Sequence, residues 1–152
     1  MSRANFVALL HALSGAGVMI VSLYAKTDFL PSLRAIKPLG FVIFGAGMLL
    51  FVVTVAYLKK AFLGNVESVT DTLITAGPYK LVRHPLYLGM VISTIGLAIG
   101  LRSPWGVLVV LLIFIPAGLW RARLEEDALA QKFGKEWEDY AKRTCFMFPP
   151  VY

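Results

Sequence analysis

Four stretches of this chain contain no Asp, Glu, Lys or Arg: Ala4 to Ala25, Pro38 to Leu58, His84 to Leu101 and Ser103 to Trp120. At a rise of about 1.5 Å per residue, runs of roughly 18 to 22 residues match a hydrocarbon core about 30 Å thick. With 58% of its 152 residues hydrophobic and 16% charged, the chain is also too apolar for an ordinary soluble fold. The expected fold class is all-α integral membrane, with four transmembrane helices, two of them near the short limit.

Arg3 before an apolar segment also fits a secretory leader. That segment exceeds the usual h-region, however, and Leu23-Tyr24-Ala25 lacks the small residue expected two positions before a cleaved Ala. A retained helix is expected instead. With four spans, the N-terminus, the segment from Lys59 to Arg83 and the tail after Trp120 share one side and hold 11 of the 15 Lys and Arg residues. The positive-inside rule then predicts a multi-pass protein with both termini in the cytoplasm. The formal charge of +6 is explained by this asymmetry or by attraction to anionic headgroups, and nucleic acid is not required. The single Cys145 excludes an intramolecular disulfide and a cysteine-based zinc site, and it lies too far from the C-terminus to be a prenylation box.

The first two apolar runs read as packing helices. Gly40, Gly45 and Gly47 in the second permit close approach between helices, and His11 in the first fits a hydrogen-bonded or interfacial histidine better than a ligand. The polar segment Lys59 to Arg83 is long for a small protein, and such loops are usually functional or disordered. Only LRSPWG joins the third and fourth runs, so they must form a tight antiparallel hairpin. Both ends of the hairpin face the same side: His84 and Tyr87 at its start, Trp120 and Arg121 at its finish. Beyond it, Leu124, Ala128, Leu129, Phe133, Trp137, Tyr140 and Ala141 recur at helical spacing. This predicts a C-terminal amphipathic cytoplasmic helix, interrupted near Gly134 and closed by an apolar CFMFPPVY lid or packing segment.

Chemistry concentrates in TAGPYKLVRHPLYLG, Thr75 to Gly89. Pro85 suits the first turn of a helix and leaves His84 at its cap. The free amides there, reinforced by Arg83, would attract an anion, while Tyr79 and Tyr87 offer aromatic faces to a planar base or a cation. An interfacial aromatic belt with a basic anchor accounts for the same residues equally well. Arg121 and Glu125 lie four apart on one helical face beside Glu126. As an exposed ion pair they would contribute only about 0.3 to 0.5 kcal/mol, in the less favourable orientation. No Walker loop, GxSxG elbow or metal-ligand spacing occurs.

TAGPYKLVRHPLYLG followed, after a hydrophobic hairpin, by RARLEEDALAQKFGKEWEDY resembles the isoprenylcysteine carboxyl methyltransferases and the related membrane phospholipid methyltransferases. The resemblance spans roughly Val69 to Pro149. It implies an all-helical membrane enzyme that uses S-adenosylmethionine. Carried over residue by residue, it implies cofactor binding by Asp71, Thr72, Leu73 and Ile74, by Tyr79, by His84, Pro85, Leu86 and Tyr87, and by Glu125. Arg121 is implied for the methyl acceptor, with Arg121 and Glu125 as the catalytic pair and no metal. Members of the family from eukaryotes carry extra helices absent here, and a glutamine they often contribute aligns loosely near Gly64, which has no side chain.

One domain over 1–152 is expected: two packing helices to 58, a cytoplasmic cofactor loop over 59–85, a helical hairpin over 86–120, and a C-terminal helix and lid over 121–152. The expected acceptor is membrane-partitioned and lipidic or prenylated, the carboxylate of an isoprenylcysteine-like molecule first. A carboxylate is ionised at neutral pH and needs no general base. A phospholipid or other lipid amine is the alternative, and it would press Glu125, Glu126 or His84 into taking a proton. A small four-helix transporter or a non-catalytic scaffold is the alternative from another class, although none of the four runs holds the ionisable residue expected of a coupled transporter, unless His11 serves.

Overall fold

The computed structural model describes residues 3–25, 36–58 and 72–148. Within them the chain is helical: α1 (Arg3–Tyr24), α2 (Lys37–Leu58), a single 3-10 turn (Gly77–Lys80), α3 (Pro85–Gly100), α4 (Pro104–Val109), a π turn (Val110–Phe114), α5 (Ile115–Phe133) and α6 (Lys135–Ala141). Residues 59–71 of the segment expected to form the cofactor loop, Gly64 and Asp71 among them, lie outside the described residues, as do 149–152 of the expected lid.

Asn5–Tyr24, Lys37–Leu58 and Pro104–Phe133 are each long and apolar enough to cross a membrane. The third expected run differs. Its helix starts only at Pro85 and closes at Gly100, giving 16 residues, or about 24 Å at about 1.5 Å per residue, against a hydrocarbon core of about 30 Å. The flanking residues are taken by turns: His84 sits at the N-cap with ψ 56°, and Arg102 reverses the chain with φ 56°.

α2 lies along α3 in the most extensive helix pair of the fold. Small residues set that proximity, since a Cβ on Gly47 would collide with the Ser93 backbone and one on Gly89 would come within 2.9 Å of the Phe51 nitrogen. α1 packs across the other side, against α3, α4, the π turn and α5. Its buried stripe is Val7, His11, Ser14, Val18 and Ser22, repeating every three or four residues. Val18 joins Val91, Val110 and Phe114 in a buried apolar cluster.

The turn between α3 and α4 is held by Ser103, whose Oγ accepts from the Gly106 amide at 3.0 Å and donates to the Ala25 carbonyl at 2.9 Å. Proline at position 104 follows as first residue of the helix, where its missing N–H leaves nothing unsatisfied. Farther along, Pro116 lacks the donor that an α-helix would use there, and the π turn immediately before it absorbs the mismatch. That turn carries the Phe114 ring to His11, with centroids 4.5 Å apart.

α5 then runs from apolar Ile115–Trp120 into polar sequence and stops at Gly134, whose φ of 52° few other residues adopt readily. α6 follows, and the chain returns to pair with the entry to α3. Val82 and Cys145 form a parallel bridge, with Arg83 N donating to Cys145 O at 2.8 Å, His84 N to Phe146 O at 3.2 Å and Cys145 N to Leu81 O at 3.2 Å. The expected lid is therefore, as far as Phe148, a packing segment: Met147 is buried against Tyr87 and Ala122.

Candidate active site

His84 and Tyr87 lie three residues apart, so the first turn of α3 presents both rings to one side; their centroids are 5.8 Å apart. The hairpin sets the polar part of α5 opposite. Tyr87 Oη donates to Glu125 Oε1 at 2.5 Å, and Arg121 Nε donates to the same oxygen at 3.4 Å from one turn earlier. Arg121 and Glu125 have side-chain exposures of 24% and 25%. They form a half-buried constellation with Tyr87 rather than the exposed pair considered from spacing alone.

Glu126, one residue on, points elsewhere. It receives Arg83 Nε at 2.6 Å and lies 3.2 Å from His84 Nε2. Arg83 Nη1 also donates to the carbonyls of Ala141 at 2.7 Å and Thr144 at 2.5 Å. This corrects the expected role of Arg83: its guanidinium ties α5 to the C-terminal segment instead of reinforcing an anion site at the start of α3. The backbone amide of His84 is also taken, by Phe146.

The 3-10 turn delivers Tyr79. Gly77 enters it with φ 61°, against the Tyr57 ring, and Tyr140 Oη donates to the Tyr79 carbonyl at 2.8 Å. Burial, and then the negative charge of Glu125, push the Tyr79 phenol far above its ordinary value, so it stays a neutral donor beside the carboxylate. Thr72 is exposed and Leu73 and Ile74 are half-buried in the non-helical chain leading to this turn. Pro85 is buried and Leu86 half-buried at the head of α3.

Beneath the Tyr87–Glu125–Arg121 group lies a cavity of about 560 Å³. Arg121, Tyr87 and His11 contribute its ionisable and phenolic groups, while Phe44, Met48, Phe51, Met90, Leu97 and Phe114 supply much of the apolar wall. Leu86, expected at a cofactor, lines this cavity. His11, expected as a hydrogen-bonded or interfacial histidine, lines it as well; helical spacing shows that it belongs to the buried stripe of α1 but not which neighbour that stripe meets. Among the described residues no cluster of three or more His, Cys, Asp or Glu is arranged to hold a metal ion.

The family model described as phospholipid methyltransferase matches residues 35–136, from the start of α2 to the first residues of α6. The chain belongs to the phospholipid methyltransferase family. Among curated relatives, the probable protein-S-isoprenylcysteine O-methyltransferase of Oryza sativa subsp. indica is 38% identical over 72 residues, 47% of this chain and 38% of that protein. The protein-S-isoprenylcysteine O-methyltransferase of Mus musculus is 39% identical over 81 residues, 51% of this chain and 28% of that protein. The cobalt-zinc-cadmium resistance protein CzcN of Cupriavidus metallidurans is 38% identical over 79 residues, 52% of this chain and 36% of that protein. The chain thus aligns with well under half the length of these relatives.

A solved structure of the eukaryotic intramembrane Ras methyltransferase, isoprenylcysteine carboxyl methyltransferase, superposes with a TM-score of 0.68 at 23% identity, covering 99% of this chain and 55% of that one. The likeness is one of fold. Together with the long apolar helices it makes this chain an integral, multi-pass membrane protein.

Proposed function

We propose that the protein is an S-adenosylmethionine-dependent methyltransferase whose acceptor is the carboxylate of a membrane-partitioned, isoprenylcysteine-like molecule. The observation that carries this reading is the hydrogen bond from Tyr87 to Glu125, made at the polar end of an otherwise apolar cavity and shared with Arg121. The names of the rice and mouse relatives support the same acceptor class.

The residues fit the cofactor by chemistry. Glu125 offers a half-buried carboxylate to an ammonium or to ribose hydroxyls, and Tyr79, His84 and Tyr87 offer aromatic faces to a base or a sulfonium. Thr72, Leu73, Ile74, Pro85 and Leu86, with Asp71 beyond the described residues, would complete the binding surface. When bound, S-adenosylmethionine supplies an electrophilic methyl group on sulfur. Arg121 orients the acceptor carboxylate through charge-assisted hydrogen bonds, and the apolar walls hold the tail and keep water from the reacting oxygen. No side chain has to remove a proton, because a carboxylate with a pKa of about 3.3 to 3.7 is already ionised.

In this reading α3 is the third of four crossings, its short span completed by the turns at its ends, and residues 1–152 act as one unit. The packing helices occupy 1–58, the cofactor loop 59–85, the hairpin 86–120, and the C-terminal helix and closing segment 121–152. Both termini and the Glu125 group face the cytoplasm, where the charge asymmetry places them and where the soluble cofactor is found. The acceptor arrives laterally, with its tail remaining in hydrocarbon.

The test is calorimetry with S-adenosylmethionine in detergent, followed by transfer of labelled methyl to an S-prenylated cysteine in vesicles. The expected result is binding that is lost on Glu125→Ala and label that becomes base-labile as an ester. Absent binding heat, or label stable to base on an amine, rejects the proposal.

A further inference from the structure

The cavity contains more polar groups than methyl transfer to a carboxylate requires of Arg121 alone. Most of them are satisfied within the protein: Ser93 Oγ donates to the Gly89 carbonyl at 2.7 Å, Thr94 Oγ1 to the Met90 carbonyl at 2.9 Å, and Tyr87 Oη to Glu125. Among the described lining residues, donors to spare remain on Arg121, whose guanidinium has five N–H bonds, and on His11.

His11 is 5% exposed. Its contacts are with rings, Phe114 at 4.5 Å and Tyr87 at 5.5 Å between centroids, and its imidazole makes no hydrogen bond among the described residues. A phenylalanine would fill the same space and stack as well without bringing a polar ring to an apolar wall, so packing does not account for the imidazole. On the facing helix the position that would crowd it is a glycine: a Cβ on Gly118 would lie 3.2 Å from His11 Nε2. The Nε2 edge thus packs closely against α5 three residues before Arg121, and both His11 and Arg121 line the cavity.

We propose that His11 is a second donor to the acceptor's carboxylate, acting with Arg121 to select an anionic head over its neutral ester. This deepens the proposed function and rests on it. An imidazole keeps at least one N–H in either charge state, so it donates to a carboxylate at neutral pH, and the methylated product, which has lost its charge, is held less tightly and released. His11 lies on α1, outside residues 35–136 that match the family. Selection of the acceptor head is therefore assigned to a helix outside the stretch that the family model matches.

Equilibrium binding of an N-acetylated S-farnesyl cysteine and of its methyl ester, measured on the full chain in nanodiscs, tests this without requiring turnover. The parent is expected to prefer the free acid. His11→Phe is expected to weaken acid binding about tenfold, equivalent to about 1.4 kcal/mol, with ester binding and S-adenosylmethionine affinity unchanged, and His11→Gln to recover part of the loss by restoring a donor. An unchanged acid-to-ester ratio in His11→Phe, or equal weakening of acid and ester, overturns the proposal. A His11-dependent preference for acid without any transfer of labelled methyl would sustain the anion site while rejecting the proposed reaction.

Discussion

Glu125 and Glu126 are neighbours in sequence and carry the same functional group, yet they occupy opposite kinds of environment. About 100° of helical rotation separates them. Glu126 closes a clamp: Arg83, with its side chain 7% exposed, bonds both to it and to two carbonyls of the C-terminal segment, and His84 stands at its other side. Glu125 gives one oxygen to both Tyr87 and Arg121, which line the cavity. One carboxylate ties α5 to the entry of α3 and the C-terminal segment, and the other is bonded to two residues that line the cavity. Substitutions should therefore separate stability from turnover.

The largest effect is expected on the clamp. Glu126→Ala leaves the Arg83 guanidinium buried without its counter-charge, and breaking such a pair costs about 3 kcal/mol or more. Thermal unfolding in detergent should show the midpoint falling well below that of the parent. A shift no larger than that of an exposed-site substitution would erase the distinction between the two carboxylates. Glu125→Gln should do the reverse, keeping the melting midpoint close to the parent while cofactor affinity falls and turnover drops about 100-fold, equivalent to about 2.7 kcal/mol of barrier.

Arg121→Ala sharpens the open side further. S-adenosylmethionine should bind it with parental affinity by calorimetry, while turnover falls by about 10- to 100-fold, the range for a hydrogen bond to a charged group. Equal losses in binding and turnover would move Arg121 from the acceptor to the cofactor. The pH–rate profile carries a smaller signal. A carboxylate acceptor predicts a flat rate from about pH 7 to 9, because its own pKa lies near 3.3 to 3.7 and the Tyr79 phenol beside Glu125 is pushed upward, away from that window. A rate that climbs with pH would instead indicate a protonated amine losing its proton before attack.

Much of this division was legible in sequence because its determinants are local. Charge-free runs located the helices, Pro85 marked the start of α3 with His84 at its cap, and the short LRSPWG connection required the hairpin that sets Tyr87 beside Glu125. The clamp was not legible. Arg83 reaches Glu126 across 43 residues and two carbonyls near the C-terminus, and nothing in local periodicity distinguishes that use from an anion site. His11 escaped for a related reason: spacing assigns it to a buried stripe, but only the packing of α1 against the π turn and α5 decides that the stripe meets a cavity. The shortness of α3 follows from turns at both ends, which a count of uncharged residues does not register.

The smallest expected effect concerns the outer edge of the clamp, where Tyr140 links α6 to the 3-10 turn through the Tyr79 carbonyl. Tyr140→Phe removes one hydrogen bond and should cost about 1 kcal/mol at neutral pH, with turnover affected less than by Arg121→Ala. Its pH dependence has a definite sign. Burial pushes the Tyr140 phenol up to about 12 from its ordinary 10.0, so the folded state holds the proton more tightly than the unfolded one. The stability linked to that proton is complete below the unfolded value near pH 10 and is lost as pH rises through about 12. Unfolding midpoints of the parent should fall over that alkaline interval, and those of Tyr140→Phe should fall less steeply. Parallel alkaline slopes in the two proteins would detach Tyr140 from the closure and leave the Arg83–Glu126 pair as its anchor.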